Sequence, residues 1–394
     1  MKFLISGVSC KVRKKTIFNL WLVLILVITG CGNNPSSTHD LKRDNYEAIG
    51  VAERFSLEKS DKYTVLTIKN PWQGAGNVNQ VYYLLKRGEK IPEGADSTSV
   101  IFVPVKKIIC TSTTHIAMIS ALGMESTISG MSGLQYLYDP KVLLLAKTGQ
   151  IAEVGYDSNL NKELIIEIAP DLVMLYGVGS EATSISGKLK ELGVRVLFNA
   201  DYLEIYPLQK AEWIRVFGAL YCMEDEADSL FKAESESYNA IKSFIKNEII
   251  TRPRVLLGLP FRDTWYISPG NSFISKIIDD AGGEYIWRST ESDVSMPRGI
   301  EAVYNKAVNA DFWLNIGAAS SVNDITSLDP RLGELPCFIN GKMFNNNKRL
   351  GSSGGNDYWE SGSAYPHLIL KDIASILHPG LFTEHELFYY RKLN

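Results

Sequence analysis

Cysteine and histidine are scarce in this chain, with five of each among 394 residues. The histidines (His39, His115, His367, His378, His385) are scattered, with no HExxH spacing and no His/Cys cluster, so no metal-ligand set can be read from them. No CxxC pair occurs. A Lys/Arg-rich stripe is also missing. Five basic residues and no acids precede Cys31, so the remainder carries 36 basic against 44 acidic residues. A chain with that balance is not expected to bind nucleic acid, because counterion release needs a basic face. Long apolar runs are limited to one segment at the N-terminus, which excludes a polytopic membrane protein. What is there is globular: 45% hydrophobic, 10% aromatic and 22% charged, long enough for two or three domains.

The first thirty residues read as an address. Lys11, Arg13, Lys14 and Lys15 precede an apolar run from Ile17 to Ile28, broken only by Asn19. The segment closes on Val27-Ile28-Thr29-Gly30-Cys31. A basic start, a short apolar run and a small residue before the cut describe an export signal. Its ending resembles a bacterial lipobox, in which Cys31 is diacylated and becomes the new N-terminus. An uncleaved signal anchor is the competing reading. Residues 31–49, polar and without a periodic apolar face, then form a tether. Removal of Cys10 and lipidation of Cys31 leave Cys110, Cys222 and Cys337, which are expected as buried thiols.

Residues 50–105 form a β-rich extension. Tyr63–Ile68, Val81–Leu85 and Val100–Val103 are β-branched or aromatic runs bounded by Gly, Pro and Asn, which predicts a small, antiparallel sheet. From Lys107 short apolar strands alternate with helical stretches. The strands are Lys107–Cys110, Thr127–Gly130, Asp171–Tyr176 and Val194–Phe198. The helices follow Thr113 or Thr114 as cap, run near Asn161–Ile168, and run from Ser180 to Leu192. That alternation predicts a mainly parallel sheet with helices on both faces, over residues 106–223. Pro207–Leu220 and Glu224–Ile250 read as helices. The second, at 224–250, is about 40 Å long, more than a small domain needs. The β/α pattern then restarts over 251–394. The fold class is therefore α/β, with two lobes joined by one long helix.

One lookalike points to an enzyme. Gly177-Val178-Gly179-Ser180-Glu181-Ala182 follows a strand and opens a helix, and Asp201 lies about twenty residues further on, as in a dinucleotide-binding turn. An exported NAD-dependent oxidoreductase is the reading this supports. Three features oppose it: the strand is not the first of its series, the leader implies export of an unfolded chain, and no twin-arginine signal is present. Nothing else demands catalysis, and neither catalytic residues, a cofactor nor a metal is assigned. His115 is the histidine nearest a strand's carboxyl end, where a structural role is the simpler explanation.

What remains is a set of aromatics and arginines on loops. Tyr136 and Tyr138 lie in a Gly/Pro-bounded loop, and Tyr176 ends a strand. Trp265 follows Pro260–Thr264, and Tyr358 and Trp359 follow the Gly351–Asn356 loop. Ligands of open α/β sheets bind beyond the strands' carboxyl ends, where such loops gather. Each aromatic taken singly is more often a core residue, and it is the shared loop placement that makes the group a candidate. Tyr176 and Trp265, after strands in opposite lobes, are expected to face one another across the ligand. Arg262 and Arg298 are candidates to anchor an anion, or solvated surface arginines.

Taken in order, these segments resemble the class III substrate-binding proteins of ABC importers, the helical-backbone receptors for iron-siderophores, haem and cobalamin. Lys107-Ile108-Ile109-Cys110-Thr111-Ser112 through Ala121-Leu122-Gly123 is similar to the family's opening strand and helix, and Ile128-Ser129-Gly130 to its next strand. Gly155, Asn161-Lys162-Glu163 and Ala169-Pro170-Asp171-Leu172-Val173 resemble the run ending in its Pro-Asp-Leu-Val strand. Ala281-Gly282-Gly283, Gly299-Ile300-Glu301, Asn309-Ala310-Asp311 and His378-Pro379 match its second lobe and close. The resemblance covers residues 105–382, and the extension departs from it. It implies a monomeric receptor that is not an enzyme, lipid-anchored to a bacterial membrane in the periplasm. Such a receptor carries an iron complex, siderophore or haem, to an inner-membrane ABC permease, with cobalamin as the alternative ligand. The resemblance also implies docking through one glutamate per lobe, at Glu181 and Glu301, and closure of only a few degrees.

Overall fold

The structure, a computed structural model, describes residues 51–394 apart from 157, 158 and 178, with no side-chain detail for 179–182. The leader, Cys31 and the tether lie outside the described residues. Among the described residues, no helix is long and apolar enough to cross a membrane.

Strands β1 (Phe55–Lys59), β2 (Tyr63–Lys69), β3 (Asn79–Lys86) and β4 (Val100–Val103) form one sheet in sequence order. The first two pairings are antiparallel as expected, but β4 joins β3 in parallel. This sheet is not a detachable preface. Leu66, Ile68, Tyr82, Leu84 and Ile101 belong to the same buried cluster as Ile108, Met118, Trp213 and Phe217 of the following lobe. Glu204 and Glu212 accept the backbone N–H groups of Val51, Ala52, Glu53 and Arg54, which clasps the sheet's leading edge to that lobe.

The first lobe runs β5 (Ile108–Cys110), α1 (Thr113–Ala121), β6 (Ile128–Met131), α2 (Pro140–Lys147), β7 (Ala152–Glu153), α3 (Lys162–Ile168), β8 (Leu172–Tyr176), α4 (Gly179–Glu191) and β9 (Val196–Asn199). Its sheet has the order β7-β6-β5-β8-β9, parallel throughout. Strands β5, β8 and β9 are almost wholly buried, and for that reason they read as short continuous apolar runs. The cap of α1 is Ser112, whose hydroxyl accepts from the Thr114 N–H, one residue earlier than expected. Asp139, with Pro140 at the first helical position, opens α2, an element not anticipated from the sequence.

The expected helix over Pro207–Leu220 is two, α5 (Pro207–Ala211) and α6 (Ile214–Tyr221). Cys222 closes α6 in the left-handed region at φ 57°, which turns its side chain outward, so it is exposed where a buried thiol was expected. Cys110 and Cys337 are buried, and all three are free thiols.

Helix α7 (Glu224–Glu248) is the long connector. Its 25 residues span about 37 Å. The buried positions Ala227, Phe231, Glu234, Tyr238 and Ile245 fall on one stripe at steps of three, four and seven. Phe231 sits in the first lobe's core and Tyr238 and Ile245 in the second's, so one face serves both lobes.

The second lobe comprises β10 (Arg254–Leu257), β11 (Thr264–Ile267), α8 (Phe273–Asp280), β12 (Glu284–Tyr285), β13 (Met296–Gly299), α9 (Ile300–Ala307), β14 (Phe312–Leu314), α10 (Val322–Leu328), α11 (Pro336–Ile339), β15 (Met343–Asn345), α12 (Pro366–Leu377) and β16 (Arg391–Lys392). Its main sheet has the order β12-β10-β14-β15-β16, with only β16 antiparallel, and β11 and β13 pair separately as an antiparallel ribbon.

Candidate functional site

Both lobes have a point where the chain reverses its direction of travel across the sheet. In the first lobe β6 lies on one side of β5 and β8 on the other; in the second, β12 and β14 flank β10. The crevice beyond the strands' carboxyl ends at such a reversal is where open α/β sheets hold ligands. Thr111, just after β5, marks it in the first lobe. Its hydroxyl donates to the Met174 carbonyl and accepts the Tyr176 N–H at 2.8 Å. In the second lobe Gly258 and Asn315 follow β10 and β14, and the Trp313 indole N–H donates to the Gly258 carbonyl at 2.7 Å.

Around these points the first lobe presents a tyrosine surface. Tyr176 is 40% exposed, and its ring centroid lies 4.4 Å from that of Tyr202. Tyr136 and Tyr156 pair at 5.6 Å, each about half exposed. Gly133, at φ 77°, allows that pairing, because a Cβ there would sit 2.9 Å from the Tyr136 ring and 3.2 Å from that of Tyr156. The Glu153 carboxylate fixes the same turn by accepting the N–H groups of Gly133 and Leu134. Burial raises the Tyr202 phenol pKa, so it stays protonated and donates to the Gly177 carbonyl. Tyr156 and Tyr202 were not singled out from the sequence, although both directly follow strands.

Two expected ligand residues are corrected in the second lobe. Trp265 is fully buried: its ring stacks on Trp313 at 5.7 Å and its indole N–H donates to the Leu257 carbonyl at 3.0 Å. The residue on the other face of β11 is Tyr266, 55% exposed. Side chains of a strand alternate, and the sequence reading chose the wrong parity. Tyr176 and Trp265 therefore do not face one another. Tyr358 is likewise buried, walled by Trp359, Tyr389 and Tyr390 with centroids 4.7–5.9 Å away. Trp359, Arg262 and Arg298 are exposed. The Arg262 guanidinium lies 5.3 Å over the exposed Phe261 ring, and Arg298 sits opposite Trp265 in the β11/β13 register.

Besides the packing of α5 on the second lobe, where Lys210 lies over the Phe273 ring and Lys276 over the Tyr206 ring, loops bring the two lobes together on both flanks of β5. On the β6 side, the Gly351–Glu360 segment packs on residues 135–139. Glu360 accepts the backbone N–H groups of Tyr138 and Asp139, and the Arg349 guanidinium lies 5.1 Å over the Tyr138 ring. Gly355 is pressed so closely to Leu137 that a Cβ would come within 2.2 Å of its carbonyl oxygen. Tyr138 is thus tied to the junction and, with Tyr136, brought to the loop that carries Trp359. On the β8 side, the Gln73 amide donates to the Asp293 carbonyl at 2.8 Å.

Among the described residues, the enzyme lookalike shows no ligand-facing geometry. Val178 lies outside the described residues. Gly177 is closed over by Phe198 and Trp72, within 3.1 Å of where a Cβ would stand. Asp201 is buried, with its carboxyl pKa raised by desolvation, rather than presented to a ribose. His115 is fully buried, and burial lowers its pKa to about 3, so it is neutral. Among the described residues, no group of three or more His, Cys, Asp or Glu could hold a metal ion.

Of the expected docking pair, Glu301 is exposed in the first turn of α9, with one oxygen 3.5 Å from Arg331. Glu181 falls in the first turn of α4, and its side chain lies outside the described residues.

A family model described as periplasmic binding protein matches residues 108–345, more than half of the chain. An uncharacterized lipoprotein of Methanocaldococcus jannaschii is 28% identical over 329 residues, covering 80% of this chain and 76% of the relative. A second lipoprotein of that organism is 25% identical over 411 residues, covering 97% and 100%. Among solved structures, an ABC-type Fe3+-hydroxamate transport system protein from Saccharomonospora viridis superposes with a TM-score of 0.54 at 16% identity, covering 79% of this chain and 98% of that one. A periplasmic vitamin B12 binding protein of Vibrio cholerae gives 0.52 at 14%, covering 72% and 99%. A periplasmic heme binding protein of Pseudomonas aeruginosa gives 0.52 at 16%, covering 70% and 93%. These structures share the fold of this chain, whose α7 is the long connecting helix expected from the sequence.

Proposed function

Because this chain belongs to the periplasmic binding protein family, whose members bind substrates for transport and are not enzymes, we propose that it captures an iron complex, a siderophore or haem, and delivers it to an ABC permease. The observation that carries this reading is the pairing of exposed tyrosines in one lobe (Tyr136, Tyr156 and Tyr176, the last backed by half-buried Tyr202) with exposed guanidinium groups in the other, Arg262 and Arg298. Aromatic faces take up a flat ring or a chelate's apolar rim, and guanidinium groups take up its carboxylates or net negative charge. The broad phenol faces of the first lobe also suit the face of a corrin, and cobalamin is the second reading. A Cys31 lipid anchor would hold the receptor at the membrane. Glu301 and Glu181 would engage the permease.

The test is a titration of purified protein with haem, a ferric hydroxamate and cobalamin, followed by absorption and by tyrosine and tryptophan quenching. Saturable one-to-one binding of haem or the hydroxamate supports the proposal. Binding of cobalamin alone moves the assignment to the second reading, and no binding of any of the three removes both.

A further inference from the structure

No role for the β-rich extension is legible in its residues alone. In the structure, its β2–β3 loop lies at the reversal point of the first lobe. Trp72 packs on Phe198, the last aromatic of β9, with centroids 5.3 Å apart. The Gln73 N–H reaches both the Gly177 carbonyl (3.3 Å) and the Tyr202 hydroxyl (3.0 Å). Tyr202 in turn lies on Tyr176. The loop therefore adjoins the tyrosine surface described above, on its β8 side. From there the Gln73 side chain crosses to the other lobe, where its amide donates to the carbonyl of Asp293. Asp293 belongs to the segment leading into β13, five residues before Arg298.

We propose that the β2–β3 loop is a third wall of the recognition site, and that Gln73 is a latch residue holding the second lobe against it and setting how fast a bound ligand leaves. The proposal rests on the receptor reading given above. Three features carry it. The loop's backbone is pinned to the first lobe at Gly177 and Tyr202, so the Gln73 side chain starts from a fixed base. The loop junction of Glu360 with Tyr138 and Asp139 lies on the opposite side of β5, so Gln73 holds the flank that this junction does not. Finally, the bond is neutral and lies at the surface, whereas the Glu360 carboxylate is buried. A neutral, exposed hydrogen bond is cheap to break, which suits the side that must open.

The experiment compares wild type with Gln73→Met, which keeps the shape and removes the donor, and Gln73→Lys, which restores one. Lobe separation is read as the distance distribution between spin labels at Lys188→Cys and Asn305→Cys, both exposed, in a Cys222→Ser background. Release of whichever of haem, ferric hydroxamate or cobalamin binds the wild type is followed by stopped flow. The expected result is a broader, longer distance distribution and roughly 2- to 10-fold faster release for Gln73→Met, with Gln73→Lys close to wild type. Unchanged distances and release in Gln73→Met overturn the latch, as does an equal effect of Met and Lys, which would mean packing and not donation. Should no ligand bind the wild type, the receptor reading fails, and the distance measurement still decides the latch by itself.

Discussion

Glu360 and Tyr138 come from different lobes, yet the buried carboxylate of the first accepts the backbone N–H of the second at 2.8 Å. Its other oxygen takes the Asp139 N–H at the same distance, so one side chain holds the start of α2 from across the junction. Burial pushes the Glu360 carboxyl from its ordinary 4.5 up to about 8, against the opposing pull of the two N–H donors.

That shift has a direction in stability. The folded state keeps the Glu360 proton more readily than the unfolded chain does, so the group's stabilising contribution is complete below about pH 4.5 and is lost as pH rises through about 8. Thermal melts across that window should show wild type losing stability as pH rises. Glu360→Gln, neutral at every pH, should lose less, starting about 1 kcal/mol lower at pH 5 because its NH2 group, unlike the acid's hydroxyl oxygen, cannot accept the second N–H. Parallel pH profiles for the two proteins would remove Glu360 as the cause.

The parity of β11 separates two substitutions that look alike in sequence. Trp265→Ala should cost about 3–5 kcal/mol of stability, since it empties the space beside Trp313. Tyr266→Ala should leave the melting temperature nearly unchanged and weaken ligand binding about fivefold, and Tyr176→Ala should do the same, at about 1 kcal/mol per aromatic contact. Calorimetry and the ligand titration measure both. Full affinity in Tyr176→Ala and Tyr266→Ala would move the site away from these loops.

Cys31→Ala should shift the protein from the membrane fraction to the soluble fraction, or leave the leader uncleaved, because stable attachment takes two acyl chains. Detergent-phase partitioning of the signal-cleaved mutant would contradict lipidation at Cys31.

Charge reversal at both proposed docking positions, Glu181→Arg with Glu301→Arg, should abolish import while ligand affinity stays at the wild-type value. If these acids serve only to complement their helix dipoles, the double variant should transport normally and be slightly less stable. An uptake assay with the bound chelate distinguishes the two.

The parallel sheets and connecting helix were legible because their signal is local. A strand buried on both faces, such as Leu172–Tyr176, needs an unbroken apolar run, and α7 needs one stripe. The ribbon of β11 and β13 was harder: Met296–Gly299 includes a proline and a glycine and is a strand only through its partner. Helix α2 had a readable start in Asp139-Pro140, which went unused. The exposure of Tyr136 and Tyr176 was legible because they sit at loop positions the fold class marks out. Tyr202 had the same signal, directly after a strand. Trp72 and Gln73 had none, since their place beside Tyr202 is made by contacts more than a hundred residues apart in the chain. Tyr358 and Trp359 are adjacent, yet one is buried and the other exposed, a difference set by Tyr389 and Tyr390 near the C-terminus.

The stripe on α7 also fixes an angle. Phe231 and Tyr238, seven residues apart, are anchored in different lobes, so their spacing acts like the phasing of two gears on one shaft. One residue inserted between them would turn the second lobe by about 100° and shift it by about 1.5 Å, carrying Asp293 away from Gln73 and Glu360 away from Tyr138. Seven inserted residues would nearly restore the angle but lengthen the shaft by about 10 Å, beyond the reach of either contact. The helix therefore tolerates substitution on its solvent face far better than any change in its length, and the geometry of the crevice depends on a residue count made well away from it.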